Sequence, residues 1–362
     1  MQIQENAMRE RKVIGLLEEK GLEGFLFSSQ ANVLYLSGFR SSNAYVLATK
    51  EGFYLFTDAR YYERAKGTLR EGWQVVLVKS SMYRTIKQTI KKLGIKRVGY
   101  EEDRVSCAFR KSLRSRDIQW VGFSNFLGRL RAIKSPEEIK IMKEGVLKAD
   151  QIYRELLEFV KPGMTELDLR GFIVRRTFEM GAMGESFPAI VAFAEGSAVP
   201  HWETSQRRIE QKGPLLIDMG ILYKNYCTDF TRTIYLGKAD DEFKKVYQVV
   251  KDAHLFALEK VKVGTPVGEI DRTAREYIKK KGFGKYFTHS TGHGVGIEIH
   301  EHPRLYYKGK GAEEPIEEGM VFTIEPGIYL PGKFGVRLEN MVAVVKGVGE
   351  VLSEVSLDLI EL

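Results

Sequence analysis

Leu215-Leu216-Ile217-Asp218-Met219-Gly220 and Cys227-Thr228-Asp229-Phe230-Thr231-Arg232-Thr233 each set one aspartate inside an apolar, β-branched run. Such runs suit buried strands, where a carboxylate without a partner is strongly disfavoured. Tyr223-Lys224-Asn225 between them suits a tight connection, because Asn tolerates a left-handed backbone. If the runs pair as a hairpin, the two carboxylates approach across the ladder. Like charges that close repel unless a cation sits between them.

The same logic repeats downstream. Glu325 follows Val321-Phe322-Thr323-Ile324, and Glu339 follows Gly335-Val336-Arg337-Leu338, with a Pro331-Gly332-Lys333-Phe334-Gly335 turn between. His293 sits in Thr291-Gly292-His293-Gly294-Val295-Gly296. Each residue alone is most simply a satisfied, partly buried polar group. Together, four carboxylates and one imidazole form an oxygen-rich set suited to two divalent ions, manganese or cobalt before zinc. Arg337 alternates with Glu339, which places both on one face of a strand, where the guanidinium is expected to orient a ligand carboxylate, with substrate binding as the alternative. Of six histidines, His201, His289, His293, His300 and His302 lie in Gly-, Pro- or aromatic-rich stretches beside these motifs. His254 lies mid-helix among charged residues and reads as solvated. The Gly-rich run around His293 lacks a Lys-Ser/Thr ending and the dinucleotide spacing.

The chain has 362 residues, enough for two domains, with hydrophobic and charged contents of 43% and 29% typical of a soluble globular protein. The net charge of +8 is uneven, roughly +11 through residue 131 and roughly −3 beyond. The basic residues of the first part are dispersed among Glu and aromatics, without an RNA-binding aromatic signature, so no nucleic acid is expected. Residues 1–6 lack the basic and apolar regions of a signal peptide. No run approaches the roughly 20 apolar residues that cross a bilayer. Cys107 and Cys227 make no disulfide framework. A cytoplasmic protein without membrane contact is expected.

Residues 5–20 carry Val13, Ile14, Leu16 and Leu17 at helical spacing and end at Gly21. Through the rest of residues 1–131, short apolar runs at 24–27, 44–48, 53–56, 73–78 and 97–100 then alternate with helical segments near 59–68, 84–93 and 107–113. That alternation predicts an α/β domain with a mixed, partly parallel sheet. A new unit begins at 132. Ser135 reads as an N-cap, Pro136 as a first-turn proline and Glu138 as the closing residue of a capping box. The helix from there runs to about Val160, stopped by Pro162-Gly163. Thr165 caps a second helix, and two more fall near 240–261 and 267–281.

The chain resembles the pita-bread metallopeptidases, in their proline-specific branch of aminopeptidase P and Xaa-Pro dipeptidase (prolidase). The likeness covers residues 130–362. It runs through Ala198-Val199-Pro200-His201, the two Asp strands, His289-Ser290-Thr291-Gly292-His293, Ile299-His300-Glu301-His302-Pro303, Thr323-Ile324-Glu325-Pro326-Gly327 and Val336-Arg337-Leu338-Glu339-Asn340. Asn32-Val33-Leu34-Tyr35-Leu36-Ser37-Gly38-Phe39 and Phe56-Thr57-Asp58-Ala59-Arg60-Tyr61 resemble the family's smaller domain. The segment Ala192-Phe193-Ala194-Glu195-Gly196 departs from the family pattern.

The resemblance implies an α+β pita-bread catalytic domain over 132–362. In it Asp229 and Glu339 bridge two ions, Asp218 completes one, and His293 with Glu325 the other. It implies Glu325 as proton shuttle, His201, His289 and His300 as partners of the oxyanion or leaving nitrogen, and Arg337 as a support. It also implies a peptide substrate with proline at the second position and a homodimer. Phe187, Phe193, Tyr226 and Tyr329 are candidate walls of the proline pocket. Aminopeptidase P is expected first, with prolidase as the alternative. Methionine aminopeptidase, a metal-free creatinase-like enzyme and a non-catalytic scaffold fit the five-ligand set or the N-terminal domain less well.

Overall fold

The computed structural model describes residues 2–362, with side chains from residue 7 onward. The leader reading of residues 1–6 therefore rests on side chains outside the described residues. The chain divides into two compact units, residues 1–130 and 131–362.

The first unit is built on a six-stranded sheet: β1 (Gly24–Phe27), β2 (Ala44–Thr49), β3 (Phe53–Thr57), β4 (Trp73–Leu77), β5 (Arg97–Glu101) and β6 (Gln119–Phe123). The order is β4-β3-β2-β1-β5-β6. β2 pairs antiparallel with β1 and β3, while β3–β4, β1–β5 and β5–β6 are parallel. The mixed sheet matches expectation. Helices α1 (Gln2–Glu19), α2 (Gln30–Ser37), α3 (Ala59–Thr68), α4 (Met82–Lys92) and α5 (Cys107–Leu113) complete the unit.

Two elements escaped the sequence reading, β6 and α2. β6 is a half-exposed edge strand with a glycine as its fourth residue. α2 is buried on nearly every side, so it has no amphipathic period to read. It is set instead by polar contacts. Glu101, buried at the end of β5, accepts from Ser28 N at 2.5 Å, Ser29 N at 2.7 Å and Asn32 Nδ2 at 2.5 Å. A carboxylate at that helix start meets the positive end of the dipole.

A short helix, α6 (Gly128–Ala132), precedes α7 (Pro136–Phe159) and α8 (Glu166–Glu179). Both long helices begin with reciprocal capping boxes, the expected one at Ser135/Glu138 and a second in which Asp168 closes the expected Thr165 cap. They cover one face of the antiparallel sheet of β7 (Ile190–Phe193), β8 (Gly213–Met219) and β11 (Phe230–Leu236), burying Ile152, Leu156 and Ile173 against Val191, Ile217 and Phe230. Between β8 and β11, β9 (Leu222–Tyr223) and β10 (Tyr226–Cys227) close on a two-residue turn in which Lys224 and Asn225 have φ of 46° and 71°. Helices α9 (Asp241–Glu259) and α10 (Val267–Lys280) pack on a second apolar core with Phe322, Ile324, Val336 and Val342. That core belongs to the five-stranded sheet of β12 (Gly292–Gly294), β13 (Glu301–Leu305), β14 (Val321–Ile324), β17 (Asn340–Val345) and β18 (Val348–Val351), and to the ribbon of β15 (Gly327–Leu330) and β16 (Phe334–Arg337).

One reading is overturned here. His254 is not solvated but fully buried, on the same face of α9 as Val250, Ala253 and Ala257. Its Nε2 lies 3.4 Å from Asn340 Nδ2. Burial, reinforced by the Arg232 charge, pushes its pKa down to about 3, so it is neutral. The charged neighbours in sequence occupy the other faces of the helix.

Gly292 shows how tightly β12 is seated. A Cβ there would lie 1.9 Å from the Thr323 carbonyl oxygen on β14. Gly292→Ala is expected to cost about 1–3 kcal/mol or more, because backbone cannot yield as a side-chain tip does. Calorimetric melting of the variant checks this, and an unchanged midpoint would contradict it.

Candidate metal centre

Asp218 lies in β8 opposite Thr231 of β11. Asp229 stands two residues before Thr231, so it is the diagonal neighbour of Asp218 on the same side of the ribbon. Gly220 permits the turn between them, since a Cβ there would meet Thr228 O at 2.0 Å. His293 is the central residue of β12. Glu325 follows β14 directly, its N–H donating to Thr291 O at 2.7 Å. Glu339 lies between β16 and β17, its N–H donating to Thr231 O at 3.0 Å. Ile324 pairs with Asn340, so both glutamates sit where the chain leaves one sheet for another. The expectation of Arg337 and Glu339 on one strand is thus corrected. β16 ends at Arg337, and the crossover, not strand alternation, turns Glu339 into the cleft.

All five sequence-identified ligands line one cleft of about 720 Å³, together with His201, His289, His300 and Arg337. Ligating atoms of Asp229, His293 and Glu339 lie within 4.8 Å of one another. His293 Nε2 is 3.4 Å from Asp229 Oδ2 and 3.5 Å from Glu325 Oε1. Arg337 Nη2 donates to Asp218 Oδ2 at 2.5 Å, its Nη1 to Tyr329 OH at 2.8 Å and its Nε to Thr231 Oγ1 at 3.2 Å. Thr231 Oγ1 in turn donates to Glu339 Oε2 at 2.5 Å.

His289 Nδ1 lies 2.8 Å from Ser290 O and its Nε2 2.8 Å from Tyr329 OH. A carbonyl only accepts, so the hydrogen-bond pattern assigns the proton to Nδ1. Nε2 then accepts from Tyr329, whose lone pairs are left for Arg337. The His300 ring meets the His293 ring edge-on at 4.4 Å.

The electrostatics call for a cation. Burial first, then the neighbouring Asp218 and Glu325 charges, raise the Asp229 pKa to about 7, although His293 opposes them. Burial and the Asp229, Glu325 and Asp218 charges push Glu339 well above the carboxylate range. Burial also raises Asp218, against the pull of Arg337. For His293, burial works against the charged form, but the Asp229 hydrogen bond and the Glu325 and Asp229 charges carry it up to about 9. Asp218 Oδ1 and Glu339 Oε1 are buried without a hydrogen-bond partner among the described residues. Unpartnered anionic oxygens turned into a carboxylate-rich cleft fit a divalent ion. Asp218, Asp229, His293, Glu325 and Glu339 are the residues that could hold it.

Several expected neighbours lie elsewhere. Phe193 is core, 1% exposed. Tyr226 turns away, its OH donating to Glu138 Oε1 at 2.7 Å. Tyr329 is buried behind His289 and Arg337, leaving only Phe187 of the four candidate walls in the cleft lining. His302 pairs with Glu314 at 2.7 Å and is absent from that lining. Trp202 and Arg304 line the cleft and were missed, although each adjoins a recognised motif.

Residues 140–346 match metallopeptidase family M24, and residues 9–133 match the creatinase/prolidase N-terminal domain. The chain belongs to metallopeptidase family M24. It is 36% identical over 341 residues to an uncharacterised peptidase of Bacillus subtilis, covering 94% of this chain and 96% of that one. Among solved structures it is similar to an Xaa-Pro dipeptidase from Bacillus anthracis, with a TM-score of 0.93, 34% identity and 99% coverage of both chains. It is also similar to an X-Pro aminopeptidase from Thermotoga maritima, with a TM-score of 0.87, 33% identity, and coverage of 98% of this chain and 100% of the other. The chain is therefore a mixed-sheet N-terminal domain followed in sequence by a pita-bread catalytic domain.

A carboxylate raised in the folded state binds its proton more tightly folded than unfolded. Asp229 therefore costs stability as pH rises from about 4, its unfolded value, and the cost is complete above about 7. A divalent ion displaces that proton. The rise in melting midpoint on adding manganese to chelator-treated protein should thus grow between pH 5 and pH 7. A gain that shrinks over this interval would contradict the assignment.

Proposed function

We propose that this metallopeptidase is an Xaa-Pro aminopeptidase, hydrolysing the peptide bond between an N-terminal residue and proline. The observation that carries the reading is the convergence of five potential ligands, two with unpartnered buried oxygens, beside His201, His289 and His300 in a single cleft. Proline after the scissile bond has no N–H and a fixed φ. A cleft that accepts it therefore need offer that nitrogen no hydrogen-bond acceptor.

Two divalent ions, which Asp218, Asp229, His293, Glu325 and Glu339 would hold, would lower the pKa of water toward neutrality and polarise the scissile carbonyl. Manganese or cobalt is favoured and zinc tolerated, because an oxygen-rich donor set selects weakly among them. Glu325 accepts the proton of the attacking water and returns it to the departing nitrogen. His201 and His300 line the cleft and donate to the developing charges. Arg337 neutralises Asp218 and fixes its orientation, and Tyr329 links Arg337 to His289.

Prolidase activity is the second reading, and Arg304 favours it. This exposed guanidinium lines the cleft and is able to take the carboxylate that a dipeptide presents just beyond proline. By family likeness we also propose a homodimer in the cytoplasm. No helix among the described residues is long and apolar enough to cross a membrane.

Release of the N-terminal amino acid from an Xaa-Pro dipeptide and an Xaa-Pro-Xaa tripeptide, side by side with manganese-loaded protein, tests the proposal. Tripeptide cleavage supports the aminopeptidase, dipeptide cleavage alone the prolidase, and cleavage of neither refutes both. Glu325→Gln should lower kcat by about 10²–10⁴-fold with the fold intact; near-normal turnover would remove the shuttle role. Asp229→Ala should abolish paired metal loading, and two ions per chain by metal analysis would refute bridging.

A further inference from the structure

Trp202 lies on the cleft wall one residue beyond His201 and has no part in the chemistry described above. Its indole is held on two sides. Nε1–H donates to Glu166 Oε2 at 2.9 Å. Glu166, the first residue of α8, is fully buried, and its carboxylate also accepts from Phe193 N at 2.9 Å, Ser205 N at 3.0 Å and Ser205 Oγ at 2.9 Å. One buried acid thus ties together both ends of the segment that carries Pro200, His201 and Trp202. The face of the ring rests on Gly196, where a Cβ would stand only 3.0–3.3 Å from three indole carbons. A larger residue there would press the ring outward.

We infer that Trp202 is a specificity-determining residue, a rigid aromatic wall for the side chain of the residue preceding proline. The inference rests on the Xaa-Pro reading of the cleft and deepens it. With Arg304 on the β13 side, the carboxyl end of a substrate and its proline belong to that side. The residue on the other side of the scissile bond then faces the wall of Phe187, Ile190 and Trp202. Its side chain meets a surface that is already immobile, so little rotamer freedom is lost on contact. Apolar side chains are therefore preferred over none.

The test compares kcat/KM for Leu-Pro and Gly-Pro peptides, in whichever length the enzyme cleaves. For Trp202→Ala the Leu/Gly ratio should fall about tenfold, the scale of a few lost apolar contacts in a pocket. Trp202→Phe, which keeps the ring and loses the N–H donor, should fall between that and wild type. A second measurement needs no change at the wall. The three tryptophans are Trp73, Trp120 and Trp202, and only the last lies in the unit of residues 131–362. In Glu325→Gln protein, saturation with a Leu-Pro peptide should shift tryptophan emission more than saturation with Gly-Pro. An unchanged Leu/Gly ratio in Trp202→Ala, or emission that does not move at saturation, overturns the inference while leaving the peptidase reading intact. Failure of the wild-type enzyme to cleave either peptide overturns that reading and this inference with it.

Discussion

Like-charge repulsion in a place that water screens poorly is the constraint around which the unit of residues 131–362 is arranged. Asp218, Asp229, Glu325 and Glu339 line one cleft, and three of the four are buried. Among the described residues, only Arg337 brings a fixed positive charge into direct contact, and of the four it reaches Asp218 alone. His293 Nε2 stands 3.4 Å from Asp229 and 3.5 Å from Glu325, and Thr231 satisfies one oxygen of Glu339. The remaining deficit appears as raised carboxylate pKa values and as unpartnered oxygens. A protein interior tolerates such a set only where a cation completes it. Stability and metal affinity are thus two expressions of one electrostatic imbalance.

Repelling groups stay in place because a second layer of buried charges anchors each segment that carries them. Asp271 on α10 accepts from Thr291 N and Oγ1, and Thr291 O receives the Glu325 N–H. Arg275, paired with Asp271, donates to His289 O at 2.6 Å. Arg232 donates to the carbonyl of Glu339 and to Asn340 Oδ1, fixing the crossover that turns Glu339 inward. Glu166 anchors the His201 segment in the same manner. Each such residue is a helix or strand side chain reaching one loop of the site. Ligand geometry therefore inherits the rigidity of the scaffold, as outer-shell contacts do in metal sites generally.

The cleft divides its labour by side. Acids and His293 come from strand ends around β8, β11, β14 and β17, and apolar side chains come from the segment about β7. Chemistry common to a family resides in the first group, since charge and metal coordination allow few substitutes. Selectivity falls to the second group and to Arg304, where shape and a single charge decide which end of a peptide is accepted.

Residues 218, 229, 325 and 339 were legible from sequence because a carboxylate inside a β-branched run is a local anomaly, and His293 was legible from the Gly-rich motif around it. Local anomalies survive without coordinates. So do capping boxes and glycine-limited turns, whose partners lie three or four residues apart. What escaped depends on distant partners. His254 looks solvated in its own sequence, and α9 buries it because helical geometry turns that face to the core. α2 has no readable period because burial on all sides removes it, and its start is held by Glu101, some seventy residues away. Trp202 and Tyr329 are both ordinary aromatics in the chain, and only packing puts one on the cleft wall and the other behind it. The sequence by itself determined which acids stand in apolar strand-like runs, since that follows from residue type and immediate neighbours. Tertiary structure alone decided which side chains frame and orient them, since that follows from contacts between elements far apart along the chain.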